Sequence, residues 1–88
     1  MADLAQRFEQ AQKDAMNLRK DPGNEAKLAL YALYKQATAG DANGKRPGML
    51  DVVGRYKYDA WAKLQGTDHE AAMERYIAAV KQLQASQP

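Results

Sequence analysis

The fold and the candidate binding site both depend on residues 28–50, which read LALYALYKQATAGDANGKRPGML. The first part has helical spacing, so side chains three or four residues apart share one flank. Two tyrosines, a lysine and a threonine share such a flank: Tyr31, Tyr34, Lys35 and Thr38. The neighbouring, apolar flank carries Leu30, Leu33 and Ala37. A helix that presents aromatic rings and an ammonium group beside its packing stripe is suited to a phosphorylated, partly apolar ligand.

Three more helices are predicted around this segment. Apolar residues recur every three or four positions over residues 3–19, 52–65 and 68–85, and the first part of the quoted stretch belongs to a helix over 25–39. Side chains that can cap the first turns of the four helices are Asp3, Asn24, Asp51 and Thr67, the last in a capping box with Glu70. No strand-like alternation occurs, so we expect one all-α domain covering residues 1–88.

The link between the second and third helices, residues 40–50, contains three glycines and one proline. So long an irregular link is either functional or held down by its own packing, and Met49 and Leu50 are predicted to anchor it to the core. The inward stripe of the third helix is predicted to be Val52 or Val53, Tyr56, Ala60 and Leu64. That of the fourth helix is Met73, Tyr76, Ile77, Val80 and Leu83.

Composition excludes several kinds of site. The 88 residues include no cysteine and a single histidine, His69, so neither a disulfide nor a metal site with thiolates or two imidazoles can form. The longest apolar run, residues 28–34, is far shorter than the roughly 20 residues of a membrane span. The N-terminus carries charges where a signal peptide is apolar, so a soluble cytoplasmic protein is expected.

No catalytic apparatus is visible. Residues 40–46, GDANGKR, have the wrong glycine spacing for a phosphate-binding P-loop, and Arg46 stands where Ser or Thr would follow the lysine. His69 has no hydroxyl or carboxylate at a spacing that would make a nucleophile and its base. We therefore expect neither an enzyme nor a metal protein.

Positive charge is concentrated in the middle of the chain. Residues 27–63 hold seven basic and three acidic side chains, although the net charge of the whole chain is only +2. This distribution favours a local anion site over a basic coat. Tyr31, Tyr34 and Tyr76 are either core aromatics or ligand-binding groups, while Tyr56 is assigned to the core.

Longer motifs extend this interpretation. The run from Tyr31 to Asp51, with YKQAT and RPGML, is followed by KYDAWAKLQGT at 57–67 and AMERYI at 72–77. In this order and at these distances the motifs resemble the acyl-CoA-binding protein family, over nearly the whole chain. The resemblance implies a four-helix, up-down-down-up bundle that binds one medium- to long-chain acyl-CoA. It also implies a non-enzymatic role in buffering and transporting these thioesters, without a cofactor.

The ligand-binding residues implied by the resemblance are Leu28, Tyr31, Ala32, Leu33, Tyr34, Lys35, Lys57 and Tyr76. By position, Tyr31 would stack on adenine, Tyr34 and Lys35 would bind phosphate, and Leu28 would touch the acyl chain. The chain departs from the family at Met16 and Val53, where many members carry lysine. One phosphate contact is therefore expected to be missing at Met16, unless Arg19 or Lys20 partly replaces it.

Three alternatives compete with this interpretation. The central basic residues suggest a nucleic-acid-binding module, although the third helix lacks the outward Arg and Asn residues of a recognition helix. A tyrosine patch could instead dock a protein partner. A CoA-using isomerase would need a catalytic group that is not apparent. We expect a monomer that contacts acyl-CoA-using enzymes transiently, with neither nucleic-acid binding nor stable membrane insertion.

Overall fold

The computed structural model describes residues 3–87, which form four α-helices and no strand. The helices are α1 (Leu4–Met16), α2 (Asn24–Thr38), α3 (Val52–Ala62) and α4 (His69–Ser86). This confirms the predicted all-α class. No helix in the described range is long and apolar enough to cross a membrane. The predicted domain, residues 1–88, includes three terminal positions outside the described residues and stays a prediction.

Two of the four predicted caps are confirmed. Asp3 accepts a hydrogen bond from the Gln6 amide (2.8 Å), and the Gln6 side chain accepts one from the Asp3 amide (3.2 Å), which makes a capping box. Asp51 caps α3 by accepting from the Gly54 amide at 2.9 Å. The first turns of α1 and α3 therefore begin where the sequence predicts.

The predicted caps of α2 and α4 are wrong. The chain enters α2 through Gly23, whose φ of 93° favours glycine, so Asn24 is already the first helical residue. The capping side chain of α4 is Asp68, which accepts from the Ala71 amide at 2.7 Å. Thr67 belongs to the preceding turn, because its amide donates to the Leu64 carbonyl.

Helices α1 and α3 end three residues earlier than predicted. Asn17 ends α1: its backbone amide donates to the Asp14 carbonyl and its side-chain amide to the Lys13 carbonyl. After Ala62, the amides of Leu64 and Gln65 donate to carbonyls three residues back, which tightens the chain into a turn over 63–66.

Contacts between the helices give their directions. Arg7 pairs with Glu74 and Phe8 packs on Tyr76, so α1 and α4 are parallel. The end of α2 meets the start of α4, because His69 Nδ1 lies 2.7 Å from the Ala37 carbonyl; these helices are antiparallel. Side-chain pairs 31–57 and 35–61 show that α2 and α3 are parallel. This confirms the predicted up-down-down-up order.

The core is formed by α1, α2 and α4. Its buried members are Phe8, Ala11, Leu30, Leu33, Ala37, Ala72, Tyr76, Ile77 and Val80. Met73 and Leu83 are partly buried against it, which confirms the predicted inward face of α4. Within residues 3–87, α3 packs on α2 alone among the helices.

The predicted packing of the α2–α3 link and of the start of α3 is wrong. Met49 is 81% exposed and Leu50 is fully exposed, so neither anchors the link. Val52, Val53 and Tyr56 are also exposed, because no other element covers this part of α3. Their spacing correctly puts them on one side of the helix, but that side does not face the core.

Polar contacts hold the link in place instead. Trp61 donates from Nε1 to the Gly40 carbonyl (2.7 Å), and the Tyr58 hydroxyl donates to the Gly44 carbonyl (3.2 Å). Arg46 forms two hydrogen bonds with the Asp59 carboxylate, at 2.8 and 2.6 Å. These contacts attach the link to α3 and fix the position of that helix relative to the end of α2.

A buried amide joins the end of α2 to the turn between α3 and α4. The Gln36 side chain is almost fully buried and donates from Nε2 to Asp41 Oδ1 (2.8 Å) and to the Thr67 carbonyl (2.7 Å). The same Asp41 oxygen accepts from the Gly66 amide at 2.8 Å. Gln36 and Asp41 therefore tie the end of α2 to the turn between α3 and α4.

Candidate ligand-binding site

A cavity of about 340 Å³ opens between α2 and α3. Its walls are mainly apolar and aromatic, and its lining residues are Asn24, Lys27, Leu28, Tyr31, Val53, Tyr56 and Lys57. A slightly larger groove, of about 380 Å³, lies between α1 and α4 but contains no aromatic side chain. The α2–α3 cavity combines aromatic rings, aliphatic walls and ammonium groups, as a site for an amphipathic anion requires.

Two lysines reach across the seam between α2 and α3, one from each helix. The Lys57 ammonium of α3 lies 5.2 Å from the centroid of the Tyr31 ring on α2. One turn further along, the Lys35 ammonium of α2 lies 4.9 Å from the Trp61 ring on α3. Both distances fall within the range of cation–π attraction. The contacts place both lysines on the same α2–α3 seam, where their charges can act on one ligand.

Three aromatic rings from α1, α2 and α4 pack together. Tyr34 stacks on Phe8 with centroids 6.2 Å apart, and Phe8 meets Tyr76 edge to face at 5.1 Å. Tyr34 is partly exposed, whereas Tyr76 is only 6% exposed. Burial, with a smaller contribution from Tyr34, raises the pKa of the Tyr76 hydroxyl. That hydroxyl therefore stays protonated at neutral pH and keeps its capacity to donate a hydrogen bond.

The structure distributes the predicted site residues over three environments. Leu28, Tyr31 and Lys57 line the cavity. Lys35 lies one turn further along, against Trp61, while Tyr34 and Tyr76 pack with Phe8; none of the three lines the cavity. Ala32 and Leu33 are buried and do not line this cavity; with Leu28 they border a second groove beside Ala60 and Leu64.

Four cavity residues were not predicted as ligand-binding residues: Asn24, Lys27, Val53 and Tyr56. Tyr56 had been assigned to the core because it shares a helical stripe with Ala60 and Leu64, yet it is 60% exposed. The sequence does contain a signal for Lys27 and Asn24. Their helical spacing from Tyr31 puts them on its flank, since residues three and four apart share a flank.

Lys27 brings a further ammonium group to the cavity wall, where it is paired with a carboxylate. The Lys27 ammonium is 2.6 Å from Asp21 Oδ2. Hydrogen bonds from Lys27 and, secondly, from the Gly23 amide lower the pKa of the Asp21 carboxyl. Met16, the predicted departure from the family motif, is 86% exposed at the end of α1 and adds no charge. Lys27 on the cavity wall thus joins Lys35 and Lys57 as a cation of the α2–α3 seam.

The arrangement can bind an anion, stack on a flat ring and shield an apolar chain. Within the described residues, no group of three or more His, Cys, Asp or Glu is arranged to hold a metal ion. His69 is engaged with the Ala37 carbonyl at the end of α2.

The chain is similar to known acyl-CoA-binding proteins. A family model described as "Acyl CoA binding protein" matches residues 5–80. The acyl-CoA-binding protein homolog of Manduca sexta is 48% identical over 84 residues, covering 94% of this chain and 93% of that protein. The crystal structure of Oryza sativa acyl-CoA-binding protein 2 superposes with a TM-score of 0.90 at 43% identity, covering 98% of this chain and all of that one.

A longer relative contains the same region. Human enoyl-CoA delta isomerase 2 is 47% identical over 79 residues, which cover 90% of this chain but 20% of the isomerase. The chain thus spans about a fifth of that relative's length. In that protein the matched region is one part of a larger polypeptide.

Proposed function

This chain belongs to the acyl-CoA-binding protein family, and from that membership we propose that it binds one medium- to long-chain acyl-CoA at the α2–α3 cavity. The match over residues 5–80 and the homologue aligned along nearly its whole length support acyl-CoA as the ligand. The observation that carries the location is the meeting of Tyr31 and Lys57 at the cavity, one from each helix.

In this proposal the lysines bind the phosphates of the coenzyme. Lys57 and Lys35 approach the seam from opposite helices, and Lys27 lies on the cavity wall. A charge-assisted hydrogen bond contributes about 1.5–3 kcal/mol when well formed. Tyr31 offers a ring for the adenine, and Tyr34 and Tyr76 offer hydroxyls. Phosphate binding by two or three ammonium groups would fix the orientation of the ligand.

The acyl chain would occupy the apolar part of the same seam. Leu28, Val53 and Tyr56 supply its walls. Each methylene removed from water contributes about 0.8 kcal/mol, so a shielded acyl chain rivals the phosphates in binding energy. Ordering the flexible ligand opposes part of this gain. Free CoA should therefore bind much more weakly than its long-chain thioester.

We propose a non-enzymatic role in holding acyl-CoA and passing it between enzymes. Support comes from the family, whose matched members include proteins of about this chain's length. The proposal includes a cytoplasmic monomer in transient contact with acyl-CoA-using enzymes. Ala32 and Leu33 would then act by packing α2 beneath the site.

Calorimetric titration with palmitoyl-CoA, CoA and an oligonucleotide tests the function. We expect palmitoyl-CoA to bind far more tightly than CoA, and the oligonucleotide to bind little. A Tyr31→Ala variant should lose affinity for palmitoyl-CoA, whereas Tyr58→Phe, a change outside the cavity, should not. Tight oligonucleotide binding with no response to palmitoyl-CoA would reverse the assignment.

A further inference from the structure

The loop between α1 and α2 is held by a glutamine at the end of α4. Gln87 Oε1 accepts hydrogen bonds from the backbone amides of Arg19 (2.8 Å) and Lys20 (3.3 Å), and Gln87 Nε2 donates to the Lys20 carbonyl (2.6 Å). Because these bonds go to the backbone, they fix the course of the loop itself. The next residue, Asp21, is thereby placed beside the first turn of α2.

The Asp21 carboxylate bridges the loop and α2. Its Oδ1 accepts from the Gly23 amide (2.7 Å), and its Oδ2 accepts from the Lys27 ammonium group (2.6 Å). Both bonds favour the charged form, which is why the pKa of this carboxyl lies below its ordinary value. Asp21 therefore carries a full negative charge at neutral pH, directed at a lysine of the proposed site.

Lys27 belongs to the cavity wall, whereas Asp21 does not. The cavity is lined by Lys27 together with Asn24 and Tyr31, and none of its lining residues is acidic. The side chains of Lys27 and Asp21 are both more than half exposed, and ion pairs as exposed as this one are weak. An anion that binds in the cavity can therefore take the ammonium group from Asp21 at small cost.

The position of Lys27 on α2 suits a phosphate group of the ligand. Lys27 lies four residues before Tyr31 and eight before Lys35, so the three side chains share one flank of the helix. Along the helix axis Lys27 and Lys35 are about 12 Å apart. Coenzyme A carries phosphate on its ribose and in its pyrophosphate. One of these groups can face Lys35 while the other faces Lys27.

We propose that Asp21 competes with acyl-CoA for Lys27. Without ligand, Asp21 holds the Lys27 ammonium group; when acyl-CoA binds, a phosphate group takes over that ammonium, and Asp21 recaptures it as the ligand leaves. Asp21 is thus a positioning residue that acts through Lys27 and lowers affinity in favour of release. This inference rests on the proposed function, because it needs a phosphorylated ligand in the α2–α3 cavity.

Calorimetric titration of the full chain with palmitoyl-CoA at low salt tests the competition. Asp21→Asn removes the charge but keeps a side-chain oxygen for the Gly23 amide. We expect it to bind palmitoyl-CoA about twofold to fivefold more tightly, the range that corresponds to an exposed ion pair. The gain should appear as a lower dissociation rate in stopped-flow measurements, and it should shrink as salt is raised.

A double-variant cycle shows whether Asp21 acts through Lys27. Lys27→Met keeps an unbranched side chain on the cavity wall and should weaken palmitoyl-CoA binding. In the Lys27→Met background, Asp21→Asn should lose most of its effect, because no ammonium group is left to release. Glu9→Gln is the matched control, since it also removes a carboxylate from an exposed ion pair with a lysine, on α1. It should leave palmitoyl-CoA affinity unchanged.

Two results would overturn this inference while leaving the proposed function in place. The first is a parent chain that binds palmitoyl-CoA and an Asp21→Asn variant that binds it no more tightly; Asp21 would then support Lys27 and not compete for it. The second is an equal gain from Asp21→Asn with and without Lys27, which would make its effect a general repulsion of the ligand. A parent chain that does not bind palmitoyl-CoA would refute the proposed function and this inference together.

Discussion

Lys57 covers one face of the Tyr31 ring, with its ammonium nitrogen 5.2 Å from the ring centroid. The same ring is proposed to stack on adenine. A ligand that stacks on this face has to displace the lysine, and a phosphate nearby would attract the displaced ammonium group. Phosphate binding and ring stacking should therefore favour each other.

The first prediction concerns the 3′-phosphate of the coenzyme. Lys57→Met should remove a charge-assisted hydrogen bond and weaken palmitoyl-CoA binding about tenfold or more, while palmitoyl-3′-dephospho-CoA is affected much less. Titration calorimetry of both ligands measures the difference. Lys63→Met, at the residue that follows α3 and outside the cavity, is the control. An equal loss for the two ligands would place Lys57 away from the 3′-phosphate.

The second prediction separates two roles of Tyr76. Its ring is buried against Phe8, so Tyr76→Ala should lower the free energy of unfolding by about 3–5 kcal/mol. Tyr76→Phe keeps the ring and removes only the hydroxyl. It should leave stability nearly unchanged and weaken palmitoyl-CoA binding, as measured by urea unfolding and calorimetry. Unchanged affinity in Tyr76→Phe would restrict Tyr76 to a packing role.

The third prediction concerns acid stability. Hydrogen bonds from the Gly66 amide and then the Gln36 side chain, together with the charge of His69, lower the pKa of the Asp41 carboxyl. The folded-state pKa is thus below the ordinary value of about 3.9. This stabilisation is complete above that value and is lost as pH falls through the folded-state pKa.

Asp41→Asn should therefore lower stability at neutral pH and flatten the loss of stability below about pH 4. Thermal unfolding followed by circular dichroism over this pH range measures both effects. Glu9→Gln, which neutralises an exposed carboxylate on α1, should keep the parent profile. A profile of Asp41→Asn as steep as the parent's would contradict the prediction.

The fourth prediction concerns Gly54 in the first turn of α3. A β-carbon there would overlap the Asp51 carboxylate that caps the helix. Alanine normally stabilises a helix by about 1 kcal/mol relative to glycine. Gly54→Ala should instead lower the free energy of unfolding, because displacing the cap costs about 1 kcal/mol and strain is added. Gly48→Ala, where a β-carbon would meet open space, should leave the free energy of unfolding unchanged. A Gly54→Ala variant that is more stable than the parent would refute the prediction.

Much of the fold follows from local sequence. The four helices, the caps at Asp3 and Asp51, and the inward face of α4 all reflect spacing or chemistry within a few residues. The exposure of Met49, Leu50 and Tyr56 does not. Periodicity shows which residues share a side of a helix, but another element must be placed before that side is buried, and only α2 packs on α3 among the described helices.

In the candidate site, too, some features follow from local sequence and others depend on how the helices pack. Tyr31 and Lys57 could be singled out from their residue types and from the family motifs. Their meeting depends on the parallel arrangement of α2 and α3, which brings positions 31 and 57 together across the seam. Lys27 and Asn24 share a flank of α2 with Tyr31, but the position of α3 is needed to show that this flank lines a cavity.

The sparse packing of α3 has a consequence for the energetics of the whole bundle. A helix with one helical neighbour and little buried surface is expected to open locally. The free energy of this opening should be well below that of global unfolding. A molecule lodged between α2 and α3 would tether that unit to the remainder, stabilising it by mass action. Unfolding would then be least cooperative in the ligand-free protein, and the bound ligand would itself hold α3 against the other three helices.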